Sequence, residues 1–269
     1  MKKTNTIALT EAGIMIALST VLSMFKLLEL PYGGSVTIAS MLPILIYSYR
    51  HGLLYGMGAG LTTSLIQLLL GLKNFSYFTS WQSIIALGLF DYVLAFSVFG
   101  IAALFRKRMP YRPALITAAL VSSAFRYVCH TVSGATIWAG LSIPEAAAII
   151  YSLSYNATYM IPETIVLVAS VIYMTSAVDF SHTTPRRTAM KGTSNAPYAY
   201  RVFAGLSVLV AVFVDTRIVF RELQGVTGEF AITALSGVNW LAVAIVSAVC
   251  TAIAALLLVF AKRAEQKGQ

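Results

Sequence analysis

Apolar residues run through the chain in blocks of about twenty, the length at which a helix crosses a bilayer, separated by short polar or basic connections. The blocks cover residues 6–28, 52–72, 83–105, 113–139, 146–177, 199–221 and 236–261. A shorter run from Val36 to Tyr49 is broken by Pro43 and predicts a short or tilted span, so about eight spans are expected. The pattern predicts an all-α integral membrane protein. Composition agrees: 58% of the 269 residues are hydrophobic and only 11% are charged, well outside the usual range of soluble domains.

The formal net charge of +9 would fit a nucleic-acid binder only if the cations shared one face. They do not. Lys2 and Lys3, Arg50, the group Arg106, Lys107, Arg108 and Arg112, then Arg186, Arg187 and Lys191, and finally Lys262, Arg263 and Lys267 fall on alternate connections. The intervening connections hold little beyond Lys26, Lys73 and Arg221. The positive-inside rule then puts both termini in the cytoplasm, in a cytoplasmic membrane. The basic start and first apolar block have no small-x-small cleavage site, so a retained helix is expected. Cys129 and Cys250 both lie within spans, and no disulfide is expected from them. Three parts are expected: a six-helix core over 1–180, a basic linker over 181–198, and a two-helix hairpin with a basic tail over 199–269. No internal repeat supports an inverted-repeat carrier.

Polar residues inside the spans recur at one depth. Asp91 and Tyr92 lie about nine residues below the outer end of their span, ~14 Å into the bilayer at the helical rise. Arg126 and His130, with Trp138 further out, lie on the next span, and His130 comes to a similar level. The span after it begins near Pro144 and carries YSLSYNATYM (Tyr151–Met160), in which Tyr151, Ser152, Tyr155, Asn156 and Tyr159 share a helical face. An aspartate at mid-span costs roughly 2.5–3.5 kcal/mol on insertion scales and needs a partner. Asp91 either forms an internal ion pair with Arg126 or meets the cationic group of a ligand. Aromatic walls, an amide and one carboxylate suit a flat heteroaromatic cation held by stacking, cation–π attraction and edge hydrogen bonds. The sequence has neither an HExxH motif nor paired cysteines, which argues against a metal site. With no GxxxxGK[ST] loop, the chain cannot hydrolyse ATP by the P-loop route, so no enzyme activity and no cofactor are expected.

At these residues the sequence resembles the thiamine-specific substrate-binding S-component of energy-coupling factor transporters. The likeness rests on GGSVTIASMLPILIYSYRHG (Gly33–Gly52), LFDYVLAF (Leu89–Phe96), FRYVCHTVSG (Phe125–Gly134) with Trp138, and YSLSYNATYM. It covers about residues 6–178 and implies a six-helix core that binds thiamine and works with a transmembrane coupling subunit and two ATP-binding subunits. The resemblance also implies thiamine contacts at Asp91, Tyr92, His130, Trp138, Tyr151 and Asn156, with Arg126 where a lysine can occur. A lid loop of Tyr32, Gly33, Gly34 and Ser35 would close the pocket from outside, and Gly13 and Ala17 on the first helix would touch the coupling subunit. The chain departs from some family members in having Gly34 where they carry a lid tryptophan and Asp91 where they carry glutamate. The C-terminal hairpin lies outside the likeness. Within it Asp215, Arg217 and Arg221 sit in or near one span, where an Asp to Arg pair would be a structural feature.

Overall fold

The computed structural model describes residues 3–30, 33–77, 80–140, 145–182, 184–187, 196–223 and 232–267. Helix α1 (Lys3–Met24) is followed by the strands β1 (Lys26–Glu29) and β2 (Ser35–Thr37), then α2 (Leu42–His51) and α3 (Leu53–Leu70). The next span, α4 (Trp81–Phe105), is followed by α5 (Tyr111–Gly140), α6 (Glu145–Ala177), α7 (Ala196–Leu223) and α8 (Trp240–Lys267). Seven helices among the described residues are long and apolar enough to cross a membrane, which establishes an all-α, multi-pass membrane protein. The chain divides into two compact units, Met1–Val168 and Ala169–Gln269.

The short run around Pro43 is not a span of its own length. Pro43 lies in the first turn of α2 and starts that helix, because its fixed φ suits a position where no amide hydrogen is needed. Ten residues of helix rise only about 15 Å. The chain nevertheless returns to the level at which α1 began. Ser19 donates to the Ser40 carbonyl (2.7 Å), Tyr47 to the Ala8 carbonyl (3.0 Å), and Arg50 Nη2 to Glu11 Oε2 (3.0 Å). Extended residues before α2 cover the remaining depth, since a strand rises more than twice as far per residue. Leu42 to Tyr49 are all buried, as non-helical backbone and a short helix must be if they are to lie at membrane depth. Gly52, at φ 97°, makes the one-residue reversal between α2 and α3, a conformation that a side chain disfavours.

The hydropathy pattern runs the first span to residue 28. Instead α1 ends at Met24, and β1 pairs antiparallel with β2, Glu29 opposite Ser35 and Leu28 opposite Val36. Pairing satisfies the backbone of this segment as a helix would, so its apolar residues do not discriminate between the two. Helix α4 is also irregular, with α geometry over Trp81–Ala86, π over Leu87–Leu94, α over Ala95–Ser97 and 3₁₀ over Val98–Phe105. Small residues let its later part touch α3. A Cβ on Gly100 would stand 2.5 Å from the Met57 backbone nitrogen, and Ser48 of α2 donates to the Gly100 carbonyl.

In the second unit α7 and α8 form an antiparallel pair, joined by Arg201 Nη2 to Glu265 (2.6 Å), Ser207 Oγ to the Cys250 carbonyl (2.9 Å) and Ser247 Oγ to Asp215 Oδ2 (2.5 Å). Asp215 thus bonds to a hydroxyl on the facing helix, and among the described residues it forms no ion pair with Arg217 or Arg221. Cys129 and Cys250 are both free thiols. Strand β3 (Val178–Asp179) pairs antiparallel with β4 (Arg186–Arg187), which lies within 181–198.

Candidate ligand-binding site

A cavity of about 360 Å³ lies within the first unit, walled by α1, β1, β2, α3, α4, α5 and α6. Its volume falls in the roughly 300–1,000 Å³ range of small-molecule sites. Asp91, Tyr92, Arg126, His130 and Asn156 all line it, as do Gly33, Gly34 and Ser35 of the loop. The π segment of α4 explains how neighbours such as Asp91 and Tyr92 both reach it. Bonds from i to i+5 widen the turn and change the angular step between side chains, and such segments are frequent at functional sites.

On α5, Arg126 and His130 are one turn apart. Arg126 Nε donates to His130 Nε2 (3.0 Å), and His130 Nδ1 lies 2.8 Å from Asp91 Oδ1. A guanidinium has no acceptor, so His130 Nε2 must be the unprotonated nitrogen and Nδ1 carries the hydrogen that points at Asp91. The imidazole is therefore neutral and joins Arg126 to Asp91. The second partner of Arg126 is Glu163 of α6, whose Oε2 lies 3.3 Å from Nη1. The direct Asp91 to Arg126 ion pair is thus replaced by a relay through His130, with Glu163 as the carboxylate of Arg126. The Arg126 guanidinium also sits over Phe96, 4.6 Å from the ring centroid.

Aromatic rings cover two sides. Phe75, Tyr92 and Phe96 form a stack with centroid separations of 6.4 and 6.3 Å. Tyr159 meets both Tyr155 (5.7 Å) and His130 (6.1 Å) edge to face. Asn156 ties α6 to α5: its Nδ2 donates to the carbonyls of Ser152 (2.8 Å) and His130 (3.2 Å), and its Oδ1 accepts from Tyr159 (2.6 Å). Gly134 makes this approach possible, since a Cβ there would stand 2.3 Å from Ser152 Oγ.

The loop is held against the aromatic wall. Gly34 N–H donates to the Tyr155 hydroxyl (3.1 Å), and a Cβ at Gly34 would be 2.8 Å from both that oxygen and the Tyr159 ring. Gly33, at φ 96°, packs on Asn74, which donates to the Tyr92 hydroxyl (3.1 Å). Asn74 Oδ1 is buried and has no hydrogen-bond partner among the described residues. Beside the loop, Lys26 and Lys73 both reach Glu29 Oε1, at 2.8 and 3.3 Å. Their hydrogen bonds, that of Lys26 first, hold its carboxyl below the usual range against a partial desolvation.

Tyr151 is half-buried and is not among the described residues lining the cavity, whereas Tyr155 and Tyr159, one and two turns further along, are. Tyr32 lies outside the described residues, as does the side chain of Trp138 on the last turn of α5. Gly13 and Ala17 lie exposed on α1, away from the cavity. Sequence reasoning missed Glu163, although the insertion cost that singles out Asp91 applies equally to a glutamate in the α6 block. Gln67, Asn74, Thr37 and Ser40 carried no signal above that of ordinary polar residues.

Fold and site together define a membrane-embedded protein with an internal cavity lined by carboxylates, amides and aromatic rings. Residues 9–181 match the family described as Thiamine transporter protein (Thia_YuaJ). The chain is also 34% identical over 184 residues to the thiamine transporter ThiT of Bacillus subtilis (strain 168), a match covering 63% of this chain and 92% of that protein. The chain belongs to the thiamine transporter family.

Proposed function

We propose that the chain is the thiamine-binding membrane subunit of an energy-coupling factor importer, delivering thiamine across the cytoplasmic membrane with energy from separate ATP-binding subunits. One observation carries the reading: a carboxylate, Asp91, whose side chain is 21% exposed, shares a cavity with the rings of Tyr92, Phe96, Tyr155 and Tyr159. Thiamine has a permanently charged thiazolium and a hydrogen-bonding aminopyrimidine. The thiazolium is drawn to Asp91 and to aromatic faces. The pyrimidine edge has Asn74 Oδ1 and the hydroxyls of Tyr155 and Tyr159 within the same wall. The family resemblance adds thiamine contacts at Trp138 and Tyr151 and a lid at Tyr32–Ser35 to this reading.

Orientation follows from charge, with the basic connections and both termini in the cytoplasm and the Lys26–Ser35 side of the cavity outside. The sequence has no nucleotide-binding loop, so energy comes from partner subunits or from an ion gradient, and the family resemblance favours the partners. Gly13 and Ala17 present a small-residue face on α1, where a helix of the transmembrane coupling subunit can approach closely. The domain reading stays with this assignment: residues 1–180 bind the ligand, 181–198 link, and 199–269 add a hairpin.

Calorimetric titration of the chain purified from thiamine-free culture tests the ligand. Saturable one-to-one binding is expected, and no binding at millimolar thiamine overturns it. In vesicles without partners the chain is expected neither to hydrolyse ATP nor to accumulate thiamine. Uphill uptake driven by a proton or sodium gradient would replace the coupled importer with an autonomous carrier.

A further inference from the structure

Glu163 is 6% exposed at the floor of the cavity, and thiamine recognition as described leaves it without a task. Its Oε1 accepts from Thr37 (2.9 Å), a hydroxyl itself 2.8 Å from Ser40 Oγ. Its Oε2 faces Arg126 Nη1. A buried carboxylate is costly unless paired, and here the pairing decides the charge of the whole site. Arg126 and Glu163 cancel, His130 is neutral by its hydrogen bonds, and among the described residues Asp91 remains as the uncompensated charge of the inner cavity. Lys26, Lys73 and Glu29 form a separate, more exposed group at the mouth, where water screens them. If Glu163 were uncharged, the Arg126 guanidinium would face the ligand unbalanced and cancel the pull of Asp91 on a cation.

We propose that Glu163 is the specificity-determining positioning residue of this site: it holds and neutralises Arg126, so that Asp91 sets the charge of the inner cavity, away from the screened group at the mouth, and a cationic heteroaromatic is preferred over its neutral isostere. The proposal rests on the thiamine reading above. It also says why an arginine can sit beside a cation site at all. Two of its groups face His130 and Glu163, its plane lies on Phe96, and none of these contacts requires a ligand.

The test compares thiamine with its neutral isostere in which thiophene replaces thiazolium, on the full-length protein. Glu163→Gln is expected to weaken thiamine by at least about thirtyfold, the scale of losing one partner of a buried charge pair. The neutral isostere should change less than about threefold, because it does not feel the unbalanced charge. The double variant Arg126→Gln with Glu163→Gln removes both charges and is expected to recover thiamine binding to within about tenfold of the parent, as coupled sites do in a mutant cycle. Equal losses for both ligands, or a double variant worse than the single one, mean that Glu163 only supports packing and overturn the proposal. Should Glu163→Gln fail to fold, the double variant decides alone. Nitrogen NMR of His130 without ligand separates this proposal from the thiamine reading. The parent should show a neutral ring protonated at Nδ1, set by Arg126 and Asp91, and Glu163→Gln should keep it, since an unbalanced guanidinium disfavours a second cation beside it. A parent that ignores thiamine sinks the ligand assignment, whereas an imidazolium at His130 in the Glu163→Gln variant sinks the role of Glu163, because the freed Arg126 charge would then not be felt in the cavity.

Discussion

The cavity-bearing unit and the C-terminal hairpin are both built from long apolar helices, yet they differ in where polar groups point and in how regular the backbone is. Half of the most hydrophobic window of α4 is buried within the protein, against 11% for each hairpin helix. Helix α4 passes through π and 3₁₀ geometry, whereas α7 and α8 are uninterrupted α-helix over their described lengths. In lipid a freed backbone group has no water to turn to, so irregular helix survives only with protein around it. Among the spanning helices of the cavity unit the irregular backbone is confined to α4, whose π segment carries Asp91 and Tyr92, while α5 and α6 supply the facing walls as regular helix. In the hairpin, Arg201, Ser207 and Asp215 close on partners across a single helix pair, and Asp215 Oδ1 is buried without a hydrogen-bond partner among the described residues.

That contrast is easiest to break at Asp91. Asp91→Asn keeps the shape and removes the charge, and calorimetry should show thiamine binding weakened by about 2–4 kcal/mol, roughly 30- to 1,000-fold. Binding within twofold of the parent would move the ligand out of this cavity. Gly34→Val comes next. Its side chain would overlap Tyr155 and Tyr159, and overpacking of this kind costs about 1–3 kcal/mol, so a faster thiamine off-rate should appear in stopped-flow fluorescence; an unchanged rate would mean that the loop does not gate release.

Ser247→Ala sharpens the other side. Removing the bond to Asp215 should lower stability in detergent unfolding by about 0.6–2 kcal/mol, the span measured for hydrogen bonds between membrane helices. Thiamine affinity should stay the same; a parallel loss of affinity would tie the hairpin to the site. Smallest of all is the effect expected from ending the chain after His182. The family match stops at residue 181, and affinity should stay within about twofold, below the threshold at which one hydrogen bond is detectable. A well-folded truncation with tenfold weaker binding would make the hairpin part of the binding unit.

The sequence alone determined the all-α membrane class and the seven long blocks able to span, and it grouped Asp91, Tyr92, Arg126, His130 and Asn156 with Trp138 and Tyr151, of which the first five line the cavity. Hydropathy and insertion cost act residue by residue and leave a one-dimensional trace, so blocks of twenty and a lone aspartate are visible without a fold. Pairings are not. Which carboxylate meets Arg126 depends on α5 and α6 standing close enough for Gly134 to touch Ser152, and that geometry brings in Glu163 from a helix whose polar face had been traced only to Met160. The same holds for the β1–β2 hairpin and the short α2, where apolar runs fit strand, short helix or span alike. Tertiary packing decided those cases, because it alone determines which backbone groups are shielded from lipid and which charges are close enough to cancel.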